Sequence, residues 1–143
     1  MNKKVVATPY SDLIRVIGIK IKKIADARLT CLGLNSQQGQ MIGYIYANQE
    51  RGVIQKDLAE KFNRKSASIT NMLQGLEKKG YIERIVPENN ERQKNIYVLE
   101  KGINLVEEFN QIFSETEHRL TKSLTPEETK TLKDLLIKVS ENL

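Results

Sequence analysis

The stretch Val53–Leu99 constrains this chain more than any other. Two short amphipathic helix patterns, Gln55–Phe62 and Ser66–Lys79, are separated only by Asn63-Arg64-Lys65. They lead into two β-rich segments, Tyr81–Val86 and Asn95–Leu99, on either side of the polar loop Pro87–Lys94. The first helix offers Leu58, Ala59 and Phe62 for burial, and Asn63 tolerates the left-handed conformation that ends a helix. In the second helix Ile69, Met72, Leu73 and Leu76 recur at helical spacing and make one apolar stripe. Gly80 follows where a C-terminal glycine is favoured. The two β-rich segments pair as a hairpin with Asn89–Asn90 at its tip. Helix, tight turn, helix, strand, loop, strand is the order of a winged helix-turn-helix.

The flanks are helical. Ser11–Leu29 carries Leu13, Ile14, Val16, Ile17, Ile21, Ile24 and Ala25, an apolar stripe broader than one neighbour requires. A further helix opens at Asn35, an N-cap with Gln38 placed to complete a capping box, and runs to about Ala47 with Met41, Ile42, Ile45 and Tyr46. Gly39 and Gly43 share one of its faces, and because each costs ~1 kcal/mol against Ala, close approach of another helix is expected there. After the hairpin a helix pattern resumes at about Ile103 and continues to Ser123, with Leu105, Val106, Phe109, Ile112, Phe113 and Leu120 as its seam. Thr125-Pro126-Glu127-Glu128 starts the last helix with an N-cap, a proline at N1 and a glutamate at N3. There Leu132, Leu135, Leu136 and Val139 form the stripe. The first and last two helices show more apolar seam than a small winged domain can cover, and a second copy of the chain is the economical cover. The expected fold is thus mainly α with a small β-hairpin wing. It is one domain over 1–143, with a DNA-binding lobe at 35–102 flanked by helical dimerisation segments at 9–31 and 103–143.

Charge points the same way. The net charge is +5, distributed as +4 over residues 1–50, +4 over 51–101 and −3 over 102–143, so the first two segments suit a polyanion. With one cysteine there is no internal disulfide framework, and no apolar run approaches the ~20 residues of a membrane span. Met1–Thr8 has no apolar core or cleavage site of a secretory signal, so a cytoplasmic location is expected. An enzyme would need a nucleophile, base or metal cluster, or a glycine-rich phosphate loop. One His, one Cys and no such loop supply none, and neither a metal nor a cofactor is expected.

A DNA-reading helix packs one face and offers the other to base edges. On the second helix of the pair the unpacked residues are Ser66, Ser68, Thr70, Asn71 and Gln74, with Arg64 and Lys65 just upstream. Hydroxyls and carboxamides suit adenine and phosphate contacts, and the helix N-terminus adds partial positive charge. Arg92 and Lys94, beside Asn89 and Asn90 in the loop, place basic groups on a thin hairpin of the kind that enters a minor groove. The competing reading is an ordinary solvated face, or a winged domain used for protein–protein contact.

Over nearly its whole length the chain resembles the multiple-antibiotic-resistance regulator (MarR) family of bacterial transcription factors. The resemblance is strongest across 55–102, in Gln55-Lys56-Asp57-Leu58-Ala59-Glu60, Ser68-Ile69-Thr70, Leu76-Glu77-Lys78-Lys79-Gly80-Tyr81-Ile82 and Leu99-Glu100-Lys101-Gly102. The family's wing signature, Asp-x-Arg-x-Lys/Arg, reads here Asn90-Glu91-Arg92-Gln93-Lys94, which implies that Arg92 is the minor-groove arginine. Asn90 can hydrogen-bond to that arginine but cannot ion-pair with it. Arg64 stands where relatives usually carry a small apolar residue, and Ile54 where a capping Ser or Thr is common. The resemblance implies a homodimeric regulator, a repressor, bound to a pseudo-palindromic operator on double-stranded DNA. The recognition helix 66–79 would lie in the major groove and the wing 87–94 in the minor groove.

It also implies release by a small aromatic or phenolic effector held between the dimer helices and the lobe, where Tyr10, Arg15, Ile42, Gly43 and Tyr46 could line a cleft. Cys31 invites a redox alternative, since a sensor thiol needs exposure and a lowered pKa. It stands at a helix end, however, whereas peroxide-sensing relatives carry theirs near the start of the first helix. Zinc-sensing relatives use several histidines, and this chain has only His118.

Overall fold

The computed structural model describes residues 4–88 and 93–143. Six helices and one hairpin follow in order: α1 (Pro9–Cys31), α2 (Ser36–Asn48), a 3-10 turn (Gln49–Arg51), α3 (Gln55–Phe62), α4 (Ser66–Lys78), β1 (Ile82–Ile85), β2 (Asn95–Val98), α5 (Glu100–Thr121) and α6 (Pro126–Glu141). The chain forms two compact units, Met1–Phe109 and Asn110–Leu143, so α5 begins in one and ends in the other.

Local chemistry accounts for most of the element ends. Asn35 accepts from the Gln38 N–H at 2.8 Å, and the Gln38 side chain accepts from the Asn35 N–H at 3.1 Å, so the box that starts α2 is complete. Thr125 and Glu128 do the same for α6, at 3.1 and 2.9 Å. Before α3, Ile54 has no side-chain acceptor, and only half of the box exists: its own N–H donates to Asp57 Oδ2 at 2.9 Å. Asn63 takes the left-handed conformation (φ 49°), and the N–H of Arg64 returns to the Ala59 carbonyl at 3.1 Å, closing α3.

The core of the first unit is one cluster. Leu29, Leu34, Met41, Ile42, Ile45, Val53, Leu58, Ile69, Leu73, Leu76, Tyr81, Ile82, Ile96, Val98 and Leu105 are buried together, with Ala59, Phe62 and Met72 half-buried at its margin. The expected approach of a helix to Gly39 is present: a Cβ there would lie 3.0 Å from the end of the Leu29 side chain on α1. Nothing approaches Gly43 within 4 Å.

Two helix starts differ from expectation. α1 begins at Pro9 rather than Ser11, because Pro at N1 is compatible with the first turn. α5 begins at Glu100 rather than Ile103, with Gly102 inside its first turn. A Cβ at 102 would sit 2.7 Å from the Tyr81 carbonyl oxygen, so this glycine is there for close packing, not as a break.

β1 and β2 pair antiparallel, with Ile82 opposite Val98 and Arg84 opposite Ile96. The other edge of β2 is satisfied as well. The Ile96 N–H donates to the Val53 carbonyl at 2.8 Å, and the Val98 N–H to Gln49 Oε1 at 2.9 Å. The base of the hairpin is therefore fixed to the segment that leads into α3.

Candidate nucleic-acid interface

α4 presents three faces. Ile69, Leu73 and Leu76 are fully buried and fix its orientation against the core. Helical periodicity places Ala67, Asn71, Gln74 and Lys78 diametrically opposite, and all four are exposed. The flanks are half-buried. Ser68 shares its side with Met72 and Gly75, where a Cβ on Gly75 would lie 3.4 Å from Gln38 of α2. Thr70 lies on the side toward α3, and Ser66, Arg64 and Lys65 are exposed at the helix start. Of the residues expected on the reading face, Asn71 and Gln74 occupy its centre, whereas Ser68 and Thr70 sit at opposite margins.

Lys65 is the N-cap residue of α4, extended (φ −66°, ψ 148°), and among the described residues no side chain caps this helix. The first-turn N–H groups are left to an external acceptor, which together with the helix dipole and the flanking Arg64 and Lys65 suits a phosphate.

Sequence reasoning missed Gln55. At the first position of α3 its side-chain nitrogen reaches the Ser66 carbonyl (3.1 Å), Ser66 Oγ (3.1 Å) and Thr70 Oγ1 (2.6 Å). The Gln55-Lys56-Asp57 motif was visible, but nothing local ties it to a residue fifteen positions later. Arg84 was missed too. It alternates inward with Ile82, is half-buried, and forms an ion pair with Glu77 near the end of α4, tying the hairpin base to that helix. A charge at an inward strand position was the available signal.

The Leu76–Ile82 and Leu99–Gly102 motifs are structural. The Lys79 ammonium donates to the Gly33 carbonyl between α1 and α2. Lys101 donates to the Lys79 carbonyl at 2.7 Å and lies 4.5 Å from the Tyr81 ring centroid. These contacts anchor the C-terminal end of α4 and leave its N-terminal turns outward.

On the wing, Lys94 is exposed immediately before β2. Asn89, Asn90 and Arg92 lie outside the described residues.

The five residues expected to line an effector cleft are not equivalent. Ile42 is 1% exposed within the core, so in the single chain it has no surface to offer a ligand; apolar periodicity marks a core and a cleft alike. Tyr10 is 81% exposed near the start of α1, and Arg15, beside Asp12 at 3.8 Å, is exposed on the same helix. Gly43 is half-buried beneath open space, one turn before the exposed Tyr46. Cys31 is the exposed last residue of α1. His118 is exposed on α5, and among the described residues no three His, Cys, Asp or Glu side chains gather as a metal site.

The model of the MarR family matches residues 45–94, from late α2 through the wing. A solved structure assigned to a MarR family transcriptional regulator from Clostridium acetobutylicum is 66% identical, over 96% of this chain and all of that one, with a TM-score of 0.81. Staphylococcus aureus MepR, a transcription regulator of the multidrug efflux pump MepA, is 38% identical in its DNA complex, over 93% of this chain and 98% of that one, with a TM-score of 0.82. MepR has also been solved bound to ethidium bromide, at a TM-score of 0.74. The helix-turn-helix-type transcriptional regulator YybA of Bacillus subtilis is 26% identical over 137 residues, 93% of this chain and 89% of that protein.

Proposed function

The chain belongs to the MarR family of DNA-binding transcriptional regulators, not enzymes, and from that premise we propose that it is a homodimeric, ligand-released repressor. In this reading α4 enters the major groove, with Asn71 and Gln74 facing base edges. Arg64, Lys65, Ser66 and the uncapped helix start hold phosphates, and Ser68 and Thr70 border the contact. The wing, with Asn89, Asn90, Arg92 and Lys94, follows the minor groove. The observation that carries this is the exposed row Ala67, Asn71, Gln74 and Lys78 opposite the fully buried Ile69, Leu73 and Leu76.

Dimerisation is supported by apolar surface on the terminal helices. Leu13 of α1 is 62% exposed and Leu136 of α6 is 50% exposed, and each has apolar neighbours at helical spacing. A two-fold dimer would place two copies of α4 one DNA turn apart, about 34 Å, and so select a pseudo-palindromic operator. Release requires a ligand that binds the DNA-competent and incompetent arrangements unequally. A small planar aromatic or phenolic compound is the proposed class, supported by the ethidium complex of MepR. Tyr10, Arg15, Gly43 and Tyr46 are its proposed contacts. A cytoplasmic location goes with this role; no helix among the described residues is long and apolar enough to cross a membrane.

The test is binding to duplexes selected from random DNA, measured by fluorescence anisotropy across salt concentrations. Log affinity should fall linearly with log salt, with a slope of about −0.9 per phosphate neutralised. Equal, salt-insensitive affinity for selected and scrambled duplexes would sink the proposal.

A further inference from the structure

Gln55 does more than brace two helices. Its side-chain nitrogen lies 3.1 Å from the Ser66 carbonyl oxygen. A carbonyl oxygen only accepts, so the facing group must be the amide NH2, and the orientation of the carboxamide follows. Thr70 Oγ1 lies 3.0 Å from the same carbonyl. The single hydroxyl proton of Thr70 is committed there, and Gln55 in turn donates to Thr70 Oγ1 at 2.6 Å. Thr70 therefore has no proton left for a base edge or a phosphate. Ser66 Oγ differs. It accepts from Gln55 at 3.1 Å, while among the described residues no acceptor takes its own proton.

We propose that Gln55 is a positioning residue that sets the hydrogen-bond polarity of the first turn of α4, so that Thr70 meets DNA as a methyl group and Ser66 as an O–H donor. This rests on α4 being the DNA-facing helix, and it specifies what that helix can read. A threonine presented through its methyl suits the C5-methyl of thymine in the major groove, and a hydroxyl donor suits a phosphate or a purine N7. Thr70 stands at the margin between the packed side and the Asn71–Gln74 row, where one apolar contact per half-site fits beside the carboxamides.

A duplex selected from random DNA by the unmodified protein, then rebuilt with uracil at each thymine in turn, provides the test. One thymine per half-site should lose about 4-fold in affinity on becoming uracil, the equivalent of one methyl-sized group withdrawn from an apolar contact. Thr70→Ser should bind with that single-position sensitivity gone. Gln55→Ala should blunt it because Thr70 Oγ1 loses its donor at 2.6 Å and is held only by its own bond to the Ser66 carbonyl. Gln55→Glu should match Gln55→Ala, since a carboxylate cannot donate to the Ser66 carbonyl. Gln55→Ala should lose some thermal stability with the bracing contacts, while its salt slope and its response to substitution at every other base pair stay at the unmodified values, which separates positioning of Thr70 from a general loss of structure. A scan in which no thymine matters, or one unchanged by Gln55→Ala and Gln55→Glu, overturns the assignment while leaving DNA binding intact. Failure to enrich any sequence would strike the DNA-reading premise first, and the assignment with it.

Discussion

The lobe from α2 to β2 and the terminal helix α6 are built from the same kind of apolar periodicity, yet they end in opposite states. In the lobe the stripe of α4 is closed over: Ile69, Leu73 and Leu76 have no exposed surface. In α6 the stripe Leu132, Leu135, Leu136 and Val139 is as regular, and among the described residues no side chain of that helix is buried. A fully buried Leu is worth roughly 1.5–3 kcal/mol relative to an exposed one. Three leucines and a valine left 37–55% exposed keep part of that energy unused in the single chain. The lobe is complete by itself, whereas α6 leaves its stripe open, as the proposed dimer requires.

The sharpest way to break that contrast is a charge in the open stripe. Leu136→Asp should leave the fold of the lobe intact, seen as an unchanged near-ultraviolet spectrum, while sedimentation should show monomer in place of the dimer proposed for the unmodified chain. Operator affinity should then fall by orders of magnitude, because two tethered half-site contacts become independent. A dimer that survives this change would refute the proposed use of α6. Next in size is Gly102→Ala in the closed region. The added carbon would meet the Tyr81 carbonyl oxygen at 2.7 Å, and overpacking of this kind costs about 1–3 kcal/mol. Urea unfolding should show the loss at every protein concentration, since both colliding groups belong to one chain.

The same division governs what the sequence made legible. Signals that act within three or four residues were readable: the Asn35 and Thr125 boxes, the left-handed Asn63, and the outward placement of Asn71 and Gln74 on α4. What depended on distant partners was not. Gly102 reads as a helix breaker until the carbonyl of Tyr81 is seen against it. Gln55 is a bare motif letter until Thr70 is seen 2.6 Å away. Ile42 fits a cleft as well as a core by periodicity alone, and burial decides for the core. Ser68 and Thr70 were grouped with Asn71 and Gln74 as polar residues of one helix, although their positions around its axis place them at the two margins.

The smallest expected effect gives the cleanest comparison, because one chemistry occurs in both regions. Asn35 and Thr125 each cap a helix through a reciprocal box, with side-chain contacts of 2.8 and 3.1 Å to the N3 amide. Replacing either with alanine removes one acceptor and should cost about 1 kcal/mol. For Asn35→Ala the loss belongs to α2, whose Met41, Ile42 and Ile45 are core, so it should appear as lower unfolding stability that does not depend on concentration. For Thr125→Ala the loss belongs to a helix with no buried side chain among the described residues, whose order is proposed to come from association. There it should appear as a dimer dissociation constant raised about 30-fold, because each dimer loses the cap twice, with the midpoint depending on protein concentration. If both variants show the same concentration-independent loss, α6 is stable without a partner, and its open leucines need another explanation.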